Sequence, residues 1–322
     1  MNHHINQLLF GPYGAAGLEK GSVLKEYGAN AVWFHGFDPV AFEACNRFDL
    51  AACVEFQTFR VDFNKHPSLI PIGPDGKPIR YGSLVQGVCL SDKEFLEETE
   101  SNLLNGIKQF KPHGIWFDYL TYAGWFESAD PDLQESCFCR ACTEEFCEAT
   151  GLDVQNPTLI LKNHAELWKR HKCKKIAGYA MHYSELIRSY HPECLIGAYM
   201  CPWSPEEYEG ALSRIFAQDY NLLANAIDIF TSLIYVAKSG RTNEWGKEFL
   251  EKSGSFIPVG KKVQLILDYK DFPGSLEAVA SSGIPSWGLQ IFSGNKIFEN
   301  PEQAVIFRQA VETIKKRRTK DL

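Results

Sequence analysis

Eight short runs of aliphatic, β-branched and aromatic residues, each followed by helical patterning, constrain this chain more than any other feature. They are Leu8-Leu9-Phe10, Ala31 to His35, Leu50 to Phe56, Gly114 to Leu120, Leu195 to Met200, Ala226 to Phe230 running on to Tyr235, Val263 to Tyr269, and Ser286 to Phe292. Such short apolar runs fit parallel strands buried on both faces. An unbroken succession of βα steps favours a parallel sheet, and eight of them predict a closed (β/α)8 barrel of the α/β class. The competing fold is an open doubly wound sheet. It lacks its signature, because no Gly-x-Gly-x-x-Gly run follows the first strand. With 322 residues, 45% hydrophobic and 13% aromatic, the chain has material for one large core, so a single domain over 1–322 is expected.

Turn and cap residues punctuate the runs. Gly28 closes a helix over Leu18 to Tyr27, Pro39 starts one that reaches Arg47, and Ser91-Asp92-Lys93-Glu94 reads as a capping box opening a helix to Phe110. Further helices are expected from Glu206 to Leu223, Glu244 to Lys252, Leu276 to Ser281 and from Pro301 onward. Two connections are too long to be plain turns: 57–90, rich in Pro and Gly, and 121–156. Loops beyond about 15 residues tend to be functional, so the first is expected to fold over the strand ends as a lid.

Composition removes several function classes. A net charge of -7 supplies no basic field for phosphates, and Lys315-Lys316-Arg317-Arg318 reads as a solvated end of the last helix, so nucleic acid is not an expected partner. No stretch reaches the roughly 18 apolar residues a membrane span needs, and the N-terminus has no long apolar segment. The expectation is a cytoplasmic chain with no membrane partner. Neither Gly-x-Ser-x-Gly nor His-Glu-x-x-His occurs, which argues against a nucleophile-elbow hydrolase or a zinc protease.

Two features carry chemistry. Asp118 interrupts the apolar run Gly114 to Leu120 near its end, where an α/β barrel opens on its active-site face. An unpaired buried charge is costly, so something must meet it. The second feature is Cys137-Phe138-Cys139-Arg140-Ala141-Cys142, three thiols at a spacing one tetrahedral zinc can gather. Cys89 and Cys147 are both candidates for the fourth ligand, with Cys89 preferred because its loop should pass the same barrel rim. Ten cysteines in a large chain without a signal peptide fit reduced thiols or metal better than disulfides. A closed all-thiolate zinc site, one per chain, is structural and does not activate water.

A Cys ahead of a helix, a strand with a carboxylate at its tip and then Cys-x-Cys-x2-Cys resembles the arrangement in zinc-bearing β-galactosidases of the barrel-fold glycoside hydrolases. The stretch from Cys89 to Thr150 is also similar to a group of uncharacterised glycoside-hydrolase-like barrels. The β-galactosidases carry Asn-Glu where this chain has Phe117-Asp118, and an apolar-aromatic-Asp strand is similar instead to the nucleophile strand of α-fucosidases and α-galactosidases. The resemblance implies a glycoside hydrolase acting on a carbohydrate through paired carboxylates, with no organic cofactor. The alternative is a carbohydrate-binding barrel without catalysis.

Partners for Asp118 are sought at C-terminal strand ends. Asp268 is the first choice, because its strand also ends in Asp-Tyr; Glu55 is the reserve, and Glu127 and Asp271 lie in loops just beyond strand ends. Aromatic residues expected at the rim are Trp33, Tyr122, Trp125, Tyr199, Trp203, Tyr235, Tyr269 and Trp287, whose rings suit a sugar's apolar face. His35, closing the second strand, is a candidate donor to a sugar hydroxyl.

Overall fold

The expected strands form and close on themselves. The computed structural model describes residues 6–14, 18, 21–80 and 87–318. In it β1 (Leu9–Tyr13), β2 (Ala31–His35), β3 (Ala51–Gln57), β4 (Gly114–Asp118), β5 (Leu195–Met200), β6 (Ile229–Ile234), β7 (Lys262–Asp268) and β8 (Gly288–Phe292) pair in chain order, all parallel. β8 returns to pair with β1, giving a (β/α)8 barrel. Helices fill the connections: α1 (Gly21–Glu26), α2 (Pro39–Phe48), α3 (Lys93–Gln109), α4 (Arg140–Thr150), α5 (Pro157–Asn163), α6 (Ala165–Tyr190), α7 (Glu207–Arg214), α8 (Tyr220–Leu223), α9 (Trp245–Ser253), α10 (Gly274–Ser281) and α11 (Pro301–Arg318).

Several boundaries differ from the sequence expectation by a few residues, and three of these differences have a local reason. β1 runs on to Tyr13 because Gly11 lets it approach β2: a Cβ there would stand 1.8 Å from the Ala31 carbonyl oxygen. α3 starts one residue late, since Asp92, not Ser91, is the cap and accepts from Phe95 N at 3.0 Å. The single helix expected from Glu206 to Leu223 is two, because Asp219 caps a new turn by accepting from Asn221 N and Leu222 N. Part of the stretch expected as a helix from Leu18 lies outside the described residues.

Strand alternation decides which side chains enter the barrel. On β4, Ile115 and Phe117 join the layer under the helices, whereas Trp116 packs inside with Leu9, Trp33, Cys53, Leu195 and Ile266. Asp118 lies two residues beyond Trp116 and so belongs to the inward-facing set at the open end. The same parity places Glu55 two beyond Cys53 on β3 and Asp268 two beyond Ile266 on β7.

Polar inward residues below the mouth satisfy one another. Trp116 Nε1 donates to Thr231 Oγ1 at 2.8 Å, and Thr231 donates in turn to Gln264 Oε1 at 3.0 Å. Gln290 Nε2 donates to that same oxygen at 2.8 Å, while its Oε1 accepts from Tyr199 OH at 2.8 Å. The network carries hydrogen bonding from the barrel centre to a ring at the mouth.

Candidate active site

A cavity of about 300 Å³ opens at the C-terminal strand ends. The strands supply Tyr13, Glu55, Gln57, Asp118, Tyr199, Leu233, Ile266 and Phe292 to its walls. The loop after β4 adds Tyr119, Trp125, Phe126 and Glu127, the loop after β6 adds Tyr235 and Lys238, and Arg60 follows β3.

Glu55 is 1% exposed. Its Oε2 accepts from Tyr13 OH at 2.5 Å and lies 3.1 Å from His35 Nδ1. Burial by itself would raise this carboxyl, but hydrogen bonding with His35, Asp118 and Tyr13 outweighs it and holds the proton affinity below the usual range. Asp118 moves the opposite way. Burial first, and then the charge of Glu55, keeps it well above the ordinary carboxylate range, and the Tyr119 N–H at 2.9 Å offsets only part of this. The surroundings of the pair therefore favour the proton on Asp118 and the negative charge on Glu55. Hydrogen bonding to that charge raises His35 in turn.

The backbone is shaped to this end. Tyr119 takes φ +53°, a left-handed conformation that costs a non-glycine residue about a kcal/mol or more, and its N–H meets the Asp118 carboxyl. Thr58 clamps the same strand end, donating to the Asp118 carbonyl through its N–H at 2.8 Å and its hydroxyl at 2.5 Å.

A second polar group stands on another wall. Lys238 Nζ donates to Glu127 Oε2 at 2.9 Å and lies 3.6 Å from Asp268 Oδ2. Burial raises the Glu127 carboxyl, and Lys238 reverses only part of that shift.

The structure brings together some of the sequence candidates and separates others. Asp118, Glu55, Trp125, Tyr199 and Tyr235 line the cavity. Asp268 does not; it is 4% exposed, and its Oδ1 caps the turn after β7 by accepting from Lys270 N at 2.9 Å. His35 is turned to Glu55. Tyr122 is buried with the Lys172 ammonium 5.5 Å from its ring centre, and Trp203 packs among Phe126, Tyr208 and Phe216, so neither ring lines the cavity. Trp287 precedes β8 and packs inside at the opposite end of the barrel, beyond reach of a ligand at the mouth. Trp33 lies edge to face with Trp116 in the interior, Tyr269 pairs with Lys296, and Asp271 accepts from Val236 N and Ala237 N.

Sequence reasoning passed over Tyr13, Arg60 and Lys238. For Tyr13 the signal was available, since the two-residue period that selects Glu55 also selects the tip of β1. Lys238 follows no pattern. Of the expected lid, only Gln57 and Arg60 line the cavity among the described residues, and 81–86 lie outside them.

The four expected cysteines converge. Sγ atoms of Cys89, Cys137, Cys139 and Cys142 all lie within 4.8 Å of one another, with Cys89 3.6 Å from Cys139 and 3.7 Å from Cys142. A tetrahedron with metal–sulfur bonds of about 2.3 Å has edges of roughly 3.8 Å, so the set fits a metal of zinc's preference. Cys147 is elsewhere, its thiol directed to the Val154 carbonyl. Packed against Phe138, Phe146, Ile160 and Trp168, the cluster joins the loop after β3 to the start of α4.

Fold and mouth together define a (β/α)8 barrel with a carboxyl-lined, aromatic-walled cavity. Several solved structures share the barrel architecture. The PgaB (BpsB) glycoside hydrolase domain from Bordetella bronchiseptica superposes with a TM-score of 0.71 at 11% identity, over 91% of this chain and 92% of that one. A β-galactosidase from the haloarchaeon Halorubrum lacusprofundi gives 0.64 at 11% identity, over 96% of this chain and 58% of that one. An α-galactosidase, AgaB from Geobacillus stearothermophilus, gives 0.56 at 9% identity, over 95% and 40%. Neither a family profile nor a curated protein matches the sequence. Among the described residues no helix is long and apolar enough to cross a membrane.

Proposed function

We propose that this chain hydrolyses a glycoside, with Asp118 and Glu55 as one catalytic pair and Glu127 as the acid on the other side of the cavity. The observation that carries it is the buried carboxyl pair at the barrel mouth, Glu55 held by Tyr13 and His35 and Asp118 by the Tyr119 N–H. Departure of the leaving group builds positive charge at the anomeric carbon; as the Asp118 proton passes to Glu55, the Asp118 carboxylate bonds that carbon, and water then displaces it to release the sugar. The leaving oxygen needs a proton. Glu127, raised by burial, supplies it. Tyr13, Trp125, Tyr199, Tyr235 and Phe292 offer ring faces and hydroxyls to the sugar. Asp268 acts at one remove, through Lys238. The cysteine cluster binds one structural zinc, and the thiols, free throughout, suit the cytoplasm.

A panel of aryl α- and β-glycosides tests this. Asp118→Asn should lower turnover at least about 100-fold, a barrier increase of about 2.7 kcal/mol, with binding near normal. Glu127→Gln should be least harmful toward dinitrophenyl glycosides, whose leaving group needs no proton. Retention of most wild-type activity by Asp118→Asn would overturn the assignment. A wild type that binds sugars and cleaves none of the panel would favour the non-catalytic carbohydrate-binding barrel.

A further inference from the structure

Four groups converge on one ammonium at the side of the cavity. Lys238 Nζ lies 4.2 Å from the Tyr235 ring centre, 5.2 Å from that of Phe292, 2.9 Å from Glu127 and 3.6 Å from Asp268. Two π faces and two carboxylates are what a protein uses to hold a cation, so this cage is built for positive charge and Lys238 fills it from within the chain. The side chain is about one-third exposed, at 32%, and lines the cavity. Its distances are unequal: the direct bond goes to Glu127, and Asp268 with the two rings stands behind. Asp268 is itself fixed by the Lys270 N–H, so the anchor of the ammonium does not turn with the ligand.

We propose that Lys238 is the positioning residue for Glu127: held by Asp268, Tyr235 and Phe292, it aims the Glu127 carboxyl into the cavity and keeps positive charge beside it. This rests on the reading of Glu127 as the acid. The charged and titratable neighbours acting on this corner are few. Lys238 comes from the loop after β6, Asp268 from β7 and Asp271 from the turn after it, Asp118 and Tyr119 from the end of β4, and Tyr235 from the end of β6. Lys238 is the cation among them, and the carboxylates oppose it. Removing it therefore raises the proton affinity of Glu127, whereas removing Asp268 lowers it.

The test uses Lys238→Met, which keeps apolar contact with the rings without charge, and Lys238→Ala and Lys238→Arg. Carboxyl titration of Glu127 in ¹³C-Glu-labelled protein, assigned with Glu127→Gln, should move to higher pH by at least about one unit in Lys238→Met and much less in Lys238→Arg. With an aryl glycoside of poor leaving group, kcat should fall at least about tenfold in Lys238→Ala while KM stays within about threefold, and the alkaline limb of the pH profile should move upward. Ethylammonium, small enough to enter the vacated cage, should restore part of kcat in Lys238→Ala and nothing in Glu127→Gln. An unmoved Glu127 titration in a folded Lys238→Met overturns the proposal, as does a KM-only effect with no rescue. Should the wild type cleave no glycoside, the glycosidase reading fails by itself, and the carboxyl titration still decides whether Lys238 controls Glu127.

Discussion

Asp118 is held in a state its own chemistry opposes. In the unfolded chain its carboxyl loses a proton near pH 3.9, yet in the barrel burial and Glu55 keep that proton on. Below about pH 4 both states are protonated and nothing is lost; as pH rises, the unfolded state gains from ionising while the folded state does not. Asp118→Asn removes this difference and its amide can still donate to Glu55, so the variant should be more stable than wild type at pH 7, with the gain shrinking toward pH 4. Urea unfolding at the two pH values checks it. Glu55 has the opposite sign: its lowered affinity stabilises the fold above the ordinary Glu range, about pH 4.3, and that contribution is lost as pH falls through its folded value. Glu55→Gln should accordingly destabilise at pH 7. A carboxyl whose removal stabilises the fold while abolishing turnover is retained for function. The position of both acids was legible in the two-residue period of their strands, because an inward parity at a strand tip is a property of sequence. Which acid keeps the proton was not, since it depends on Tyr13, His35 and Tyr119, brought in from three separate segments.

The cysteine cluster works at the scale of elements. Cys139 precedes α4, Cys142 lies in its first turn, Cys137 accepts from Ile72 N at 3.3 Å, and Cys89 comes from the far end of the loop after β3. Four thiolates on one metal would fix that loop to the one after β4, which carries Tyr119, Trp125, Phe126 and Glu127 into the cavity. Metal analysis should find about one zinc per chain. Chelation, or Cys89→Ser, should lower thermal stability and weaken sugar binding together, with the barrel's far-ultraviolet signal retained. A metal-free chain equally stable and equally able to bind would leave the cluster as four buried thiols. The spacing Cys-x-Cys-x2-Cys made the meeting of three of these thiols legible, as contiguous residues must stay close. The choice of Cys89 over Cys147 depended on the path of two loops. Helix ends show the same limit: Pro39 marked the start of α2 because proline's preference is local, whereas the division into α7 and α8 depends on a cap at Asp219 inside an otherwise helical pattern.

Across the whole barrel, the interior is a polar bridge set in an apolar filling. Gln264 joins it at three points: its Oε1 accepts from Thr231 and Gln290, and its Nε2 donates to the Leu9 carbonyl at 3.3 Å. Sequence patterning showed eight strands because apolar runs are dense, but one glutamine within an apolar run gives no hint that it links β1, β6, β7 and β8. Such a residue is expensive to remove singly. Gln264→Met fills nearly the same volume yet leaves the Thr231 hydroxyl, the Gln290 amide and the Leu9 carbonyl without their partner; each buried group so stranded costs about 1–3 kcal/mol, and mutual repair between Thr231 and Gln290 recovers part. The expected loss is about 2–4 kcal/mol, read as a lower denaturant midpoint with an unchanged slope. KM should rise too, through Tyr199, whose hydroxyl bonds Gln290 at the cavity wall. Tyr199→Phe separates the two effects, since it frees only one acceptor and keeps the ring: it should cost about 1 kcal/mol while matching Gln264→Met in its effect on KM. A KM changed by Gln264→Met and left alone by Tyr199→Phe would show that the bridge ends at Gln290 and does not reach the site.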